Sequence, residues 1–193
     1  MKAYTYLPEG YMEKFQINLQ KDPATAKKVN IGGGIVMTVM ILAGNFHLPI
    51  TKMFGDGSFS DFLLWVGVLI LSYTAYIVLH ELTHAVVMKA VGGKEVKFGF
   101  TGLYAFAGSS VDYFDKISYR CIALAPLILW GIIFGILTLV LPGSWFWVAW
   151  FLQAGNIGGA AGDVYVTARL WKEPSTILIR DTGVDVSIFS SCD

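Results

Sequence analysis

The sequence predicts an all-α membrane protein of about four transmembrane helices, with a short cytosolic β-hairpin-like insertion and a short C-terminal β tail. Hydrophobic residues make up 55% of the 193 residues and charged residues 15%, against about 25% charged in an ordinary globular domain. The deficit is uneven, because long stretches carry almost no charge and the Lys and Arg residues sit between them. Each such stretch is near or above the roughly 20 residues that a helix needs to cross a bilayer. The expected organisation is a cytosolic N-terminal segment over 1–29, a four-helix transmembrane core over 30–172 with a strand-like insertion at 93–112, and a cytosolic tail over 173–193.

The elements follow in order. The first 30 residues are mixed polar with no apolar run near the start, so no cleavable signal is expected. Asp22-Pro23 is a helix start, with Asp as N-cap and Pro in the first position. The first span then covers about 31–48. The second covers about 62–91, long enough to require tilt or a protruding end. From about 94 to 111 the apolar residues alternate, with Val96, Phe98 and Phe100, then Tyr104 and Phe106, around Thr101-Gly102. That is the pattern of a short hairpin or bent strand pair. The third span covers about 117–141, Pro142-Gly143 makes a tight turn, and the fourth span covers about 144–170. The tail alternates again through Val184, Val186 and Ile188 behind an Asp181-Thr182-Gly183 turn.

Of the 14 Lys and Arg residues, only Lys52 falls in a connection on the far side of these spans. The positive-inside rule therefore puts both termini in the cytosol of a multi-pass protein of the cell membrane. Trp65, Trp145 and Trp147 fall at the expected outer boundary and Trp171 at the inner one, as in aromatic belts. The basic residues form no stripe with interleaved aromatics, so nucleic acid is not an expected partner. Cys121 and Cys192 lack metal-binding or redox spacing and read as plain thiols.

A short set of ionisable residues lies well inside the spans: His80, Glu81, His84 and Asp163. A charge at a helix centre costs about 2.5–3.5 kcal/mol on insertion scales, so such groups need partners. The second span contains His80-Glu81-Leu82-Thr83-His84, an H-E-x-x-H pattern. Helical residues four apart lie on one face, so both imidazoles can address one ion. Zinc accepts imidazole and carboxylate ligands, and a catalytic site uses three protein ligands and a water. Glu81 would stand beside the ion, placed to take a proton from the water and return it to a leaving amine.

The third ligand has three possible sources: His47, Asp163, or a residue outside the membrane. Depth favours Asp163. His84 and His80 lie about 10 and 16 Å from the cytosolic end of their helix, and Asp163 about 10 Å from the end of its own, at 1.5 Å per residue. His47 sits at the opposite boundary and reads as an interface residue. Gly155, Gly159, Gly158 and Gly162 form small-x-x-x-small pairs that would bring the fourth helix against the second, so that Asp163 reaches the ion. The plainer alternative is ordinary helix packing, with Asp163 hydrogen-bonded to a neighbour. Asn156, two turns before Asp163, either orients substrate or holds a helix contact.

These residues give the chain a resemblance. The HELTH helix, the strand-like insertion and the later helix with Asn156 and Asp163 resemble the putative zincin peptidase family of small bacterial membrane proteins, remote relatives of the site-2 proteases. The resemblance runs from about Ile31 to the C-terminus. It implies His80, His84 and Asp163 as zinc ligands and Glu81 as the catalytic base. It also implies a membrane-embedded or membrane-adjacent protein substrate, cut at a peptide bond within the bilayer. The sequence departs from the site-2 pattern, with Gly159 where those proteins have Pro and Val164 where they have Gly. It carries Ala125-Pro126 where many of them have Gly-Pro. The rival expectation is a catalytically inactive binding or regulatory protein that keeps a metal site. A metal transporter fits poorly, because the outer half of the spans offers only His47.

Overall fold

A computed structural model describes residues 2–55, 57–102 and 104–191; Cys192 lies outside them. The chain opens on two strands, β1 (Ala3–Tyr4) and β2 (Tyr11–Ile17). Gly10 makes the turn between them at φ 81°, a left-handed conformation that favours glycine. Helix α1 (Pro23–His47) starts where Asp22-Pro23 predicts. The Thr25 N–H donates to Asp22 Oδ1 at 3.0 Å, the N-cap bond that the Asp-Pro pair implies. A short 3-10 turn (Ile50–Phe54) leads into the 32-residue helix α2 (Phe59–Ala90). Then come β3 (Lys97–Phe100), β4 (Ala105–Gly108), β5 (Tyr113–Asp115) and helix α3 (Lys116–Val140). Helices α4 (Gly143–Gly159) and α5 (Ala161–Arg169) and strands β6 (Leu178–Asp181) and β7 (Val186–Ser191) complete the described chain.

Helices α1, α2 and α3 are long and apolar enough to cross a membrane. Two expectations need correction. The fourth span is not one helix: α4 stops at Gly159, and Ala160, at φ −73° and ψ 8°, separates it from α5. Gly158, Gly159 and Gly162 surround the break, and glycine is a poor helix former. The chain is also not all-α. It is mostly helical, but it includes a five-stranded antiparallel sheet in the order β1-β5-β6-β7-β2, besides the β3-β4 hairpin. The hairpin and the β6-β7 pair lie where the alternation predicts them. β1, β2 and β5 have no such signal, since β1 and β5 are two and three residues long and β2 is polar at Glu13, Lys14 and Gln16.

The chain forms two compact units. The first comprises Met1–Lys28, His80–Ala125 and Gly162–Asp193. Its core gathers Met88, Phe114, Ile122, Leu170, Ile177, Ile179 and Ile188 around one face of the sheet. Strand β7 is central to it, pairing Ile188 with Phe15 on one side and with Ile179 on the other. The base of the hairpin is tied by Asp112, which is fully buried. Its Oδ2 accepts hydrogen bonds from the backbone N–H groups of Lys94 and Glu95, at 2.9 and 3.0 Å, and from the Ser109 hydroxyl at 2.8 Å. Both ends of the hairpin therefore hang on one carboxylate.

The second unit comprises Val29–Leu79 and Pro126–Ala161. Its core is aromatic: Tyr76, Phe134, Phe146 and Trp147 pack with Met53 and Leu152. Trp147 is completely buried rather than part of a boundary belt, correcting that expectation, whereas Trp145 is half exposed and stands edge-on to Trp65. The glycines divide their work differently from the expected pairing. A Cβ on Gly155 would strike the Tyr73 ring of α2, and one on Gly158 would strike Met37 and the Gly33 carbonyl of α1. Gly159 has open space, and Gly162, itself part of the first unit, meets only Leu19 of that same unit, at 4.0 Å. The tight approaches are thus the Tyr73 ring of α2 against Gly155 and the α1 backbone at Gly33 against Gly158.

Two outcomes follow for stability. Gly158→Ala is expected to lower stability by about 1–3 kcal/mol through overpacking, while Gly159→Ala should be neutral or slightly stabilising through helix propensity; unfolding in mild detergent compares them. Asp112→Ala should cost about 3 kcal/mol, because two backbone donors and a hydroxyl lose a buried acceptor. Proteolysis across residues 94–112 should speed up in that variant, which limited digestion would reveal.

Candidate metal centre

The residues of the second span that are out of place in lipid all fall in the first unit. His80, Glu81 and His84 occupy little more than one turn of α2 in a largely apolar stretch of the helix. Four-residue spacing puts the imidazoles one above the other, with Nε2 to Nε2 at 3.2 Å and the rings edge-on at 78°. Asp163 approaches from α5. Its Oδ2 is 3.5 Å from His80 Nε2, and its Oδ1 is 3.8 Å from His84 Nε2. Asp163 lies in the first turn of α5, where the helix N-terminus favours a carboxylate. The break at Ala160 is what creates an N-terminus there.

Donor chemistry and spacing fit a zinc ion. Ligand atoms of a tetrahedral zinc site, each about 2.0–2.1 Å from the metal, lie about 3.3 Å from one another. The three separations among His80, His84 and Asp163 run from 3.2 to 3.8 Å. His80, Glu81 and His84 also offer ligand atoms that all fall within 4.8 Å of one another. His84 is buried and His80, Glu81 and Asp163 are half-buried, so the cluster is sheltered without being sealed.

Around these groups stands a further shell. His84 Nδ1 lies 2.9 Å from the Ile122 carbonyl of α3. A carbonyl only accepts, so Nδ1 carries the proton and Nε2 is left as a bare donor toward a metal. The backbone of Ala107, in β4, lies beside the Glu81 carboxylate. The hairpin that alternation predicts is thus placed against the residue expected to act as base. Asp181, at the end of β6, accepts from the Tyr119 hydroxyl at 2.9 Å and from the Gly183 N–H at 2.7 Å, and its own carbonyl accepts from the Ser109 N–H at 2.6 Å. Burial holds the Asp181 carboxyl above the usual carboxylate range, while the Gly183 and Tyr119 hydrogen bonds pull the other way.

Two residues singled out in the sequence lie in the second unit. Asn156 is fully buried there, accepting from the Tyr76 hydroxyl at 2.9 Å and donating to the Leu127 carbonyl at 3.0 Å. These bonds are the helix-contact alternative for Asn156. His47 ends α1 with its ring 5.1 Å from Phe146. Sequence patterns missed Ala107, Ile122, Tyr119 and Asp181. Two of them act through backbone atoms, which no side-chain pattern marks, and the other two carry no spacing relation to the H-E-x-x-H run.

No curated protein and no solved structure matches the chain. A family model described as "Putative zincin peptidase" matches residues 73–178. That stretch contains His80, Glu81, His84 and Asp163, and the family implies zinc as the cofactor. The chain belongs to the family described as putative zincin peptidases, with His80, Glu81, His84 and Asp163 gathered at one point of its first unit.

Proposed function

We propose that this chain is an intramembrane zinc metallopeptidase of site-2-protease type, hydrolysing a peptide bond in a membrane-embedded or membrane-adjacent protein. His80, His84 and Asp163 hold the zinc, and Glu81 is the catalytic base. The observation that carries this reading is the convergence of two Nε2 atoms and one carboxylate within 3.8 Å, with Glu81 next to the first imidazole.

The residues divide the work by chemistry. A zinc ion held there supplies Lewis acidity toward a carbonyl oxygen and makes a nearby water more acidic. Glu81 accepts the proton of the attacking water and passes it to the leaving amine, and its flexible side chain reaches both. The Ala107 backbone of β4 stands beside that carboxylate. A peptide bond has to be unwound to be cut, and β4 offers an extended backbone beside Glu81 for pairing with an extended substrate.

The outer face of α2 supports a site at membrane depth. Val78, Leu82 and Val86, successive turns of one face, are each at least 45% exposed. An aliphatic stripe flanking two imidazoles suits lipid better than water. Charge distribution supports cytosolic termini, with Lys52 alone on the opposite side. That orientation makes the cytosol the source of water and gives substrate access from that leaflet. The rival reading, an inactive binding protein with a metal site, keeps the same ligands and has no use for Glu81.

Elemental analysis of protein purified without chelators should find about one zinc per chain, falling well below that in His80→Ala and Asp163→Ala. Glu81→Gln should retain the zinc and the thermal stability of the native chain. Its peptide hydrolysis should drop by about 10²–10⁴-fold, the usual contribution of a general base. Native protein without zinc would defeat the metallopeptidase reading. Full zinc, with membrane-peptide libraries uncut by the native chain and Glu81→Gln alike, would favour the inactive binding protein.

A further inference from the structure

Pro126 lies inside α3, ten residues from its start, and is almost completely buried. In an uninterrupted α-helix the N–H of residue 126 would donate to the carbonyl of residue 122. Proline has no N–H, and its ring pushes the carbonyl four residues back away from the helix axis. The Ile122 carbonyl is thereby released from the helix. Ile122 is 1% exposed, so water does not replace the lost donor. The donor that does is His84 Nδ1, at 2.9 Å.

We propose that Pro126 is a positioning residue of the metal centre: by withholding one helical N–H it gives the Ile122 carbonyl to His84, which fixes the imidazole with its proton on Nδ1 and its bare Nε2 toward the metal. The helix defect and the histidine satisfy each other. Without His84 the Ile122 carbonyl would be a buried acceptor with no donor, and without a free carbonyl His84 could settle with its proton on Nε2, the nitrogen that faces His80 and Asp163. Ligating histidines commonly donate their second N–H to a carbonyl, which fixes the tautomer. Here the source of that carbonyl is specific, a proline four residues further along a different helix. It also accounts for Ala125-Pro126, a proline in a span where an unbroken helix would bond more completely. The consequence for metal affinity rests on the zinc reading of the site, whereas the consequence for the tautomer does not.

The chain has three histidines, so ¹⁵N-histidine labelling of metal-free protein in mild detergent gives a small spectrum in which His47→Gln and His80→Gln assign His84. At a pH where the imidazoles are neutral, His84 is expected to show a protonated Nδ1 and an unprotonated Nε2. Pro126→Ala restores the N–H and should convert this to a mixture of tautomers, with zinc affinity lowered about 10-fold in a chelator competition. Replacing Pro126 by lactic acid leaves an ester that lacks both the N–H and the ring. It should restore the native tautomer and affinity. A native His84 protonated on Nε2 overturns the proposal whether or not any variant folds. So does a folded Pro126→Ala that matches the native chain, or an ester variant as impaired as the alanine one. Native protein that binds no zinc but holds His84 in the Nδ1–H form would defeat the proposed function and leave this inference standing.

Discussion

Ionisable side chains on an apolar helix have to find one another, because the surroundings solvate none of them. Two imidazoles and a carboxylate on α2, together with a fourth group arriving from α5, make up one cluster in which each polar atom faces another. The rest of the first unit is arranged to bring the cluster's outside partners to it. Strand β4 brings a backbone group beside Glu81, α3 supplies a carbonyl for His84, and Asp181 at the end of β6 takes the Tyr119 hydroxyl on its carboxylate and the Ser109 N–H on its backbone carbonyl.

Two irregularities in helices serve this arrangement. The break at Ala160 ends α4 and begins α5, so that Asp163 falls in a first turn rather than mid-helix. A carboxylate is better placed at a helix N-terminus than in its middle. Pro126 leaves α3 continuous but strips one carbonyl of its donor. Both depart from the uniform hydrogen bonding that a lipid-facing helix otherwise demands, and the carbonyl that Pro126 frees has a polar partner in His84.

The sheet gives the first unit its stability. It draws strands from three distant parts of the chain, with β7 between β2 and β6 and with β5 leading directly into α3. Segments separated by long helices are thereby held as one body, with Asp181 as the last residue of β6 and Asp112 just before β5. The second unit is held by other means, through aromatic packing and glycines that let backbones approach. In lipid such close packing takes the place of hydrophobic burial as the source of helix association.

The sequence by itself determined the apolar helices, the H-E-x-x-H helix, the match of Asp163 to it, the hairpin over 94–111 and the paired strands of the tail. Each has a local cause: long uncharged runs, a four-residue helical spacing, or a two-residue alternation. Tertiary structure decided what depends on distant partners. Strands β1, β2 and β5 are too short or too polar to declare themselves and exist because β7 pairs β2, β6 pairs β5, and β5 in turn pairs β1. The fourth span read as one apolar run, since glycine is apolar by composition yet weak in holding a helix. Trp147 looked like a boundary residue because sequence position shows depth but not direction, and its ring points into the core. The shell around the site was illegible for the same reason: Ala107 and Ile122 act through backbone atoms, which every residue possesses and only folding can aim.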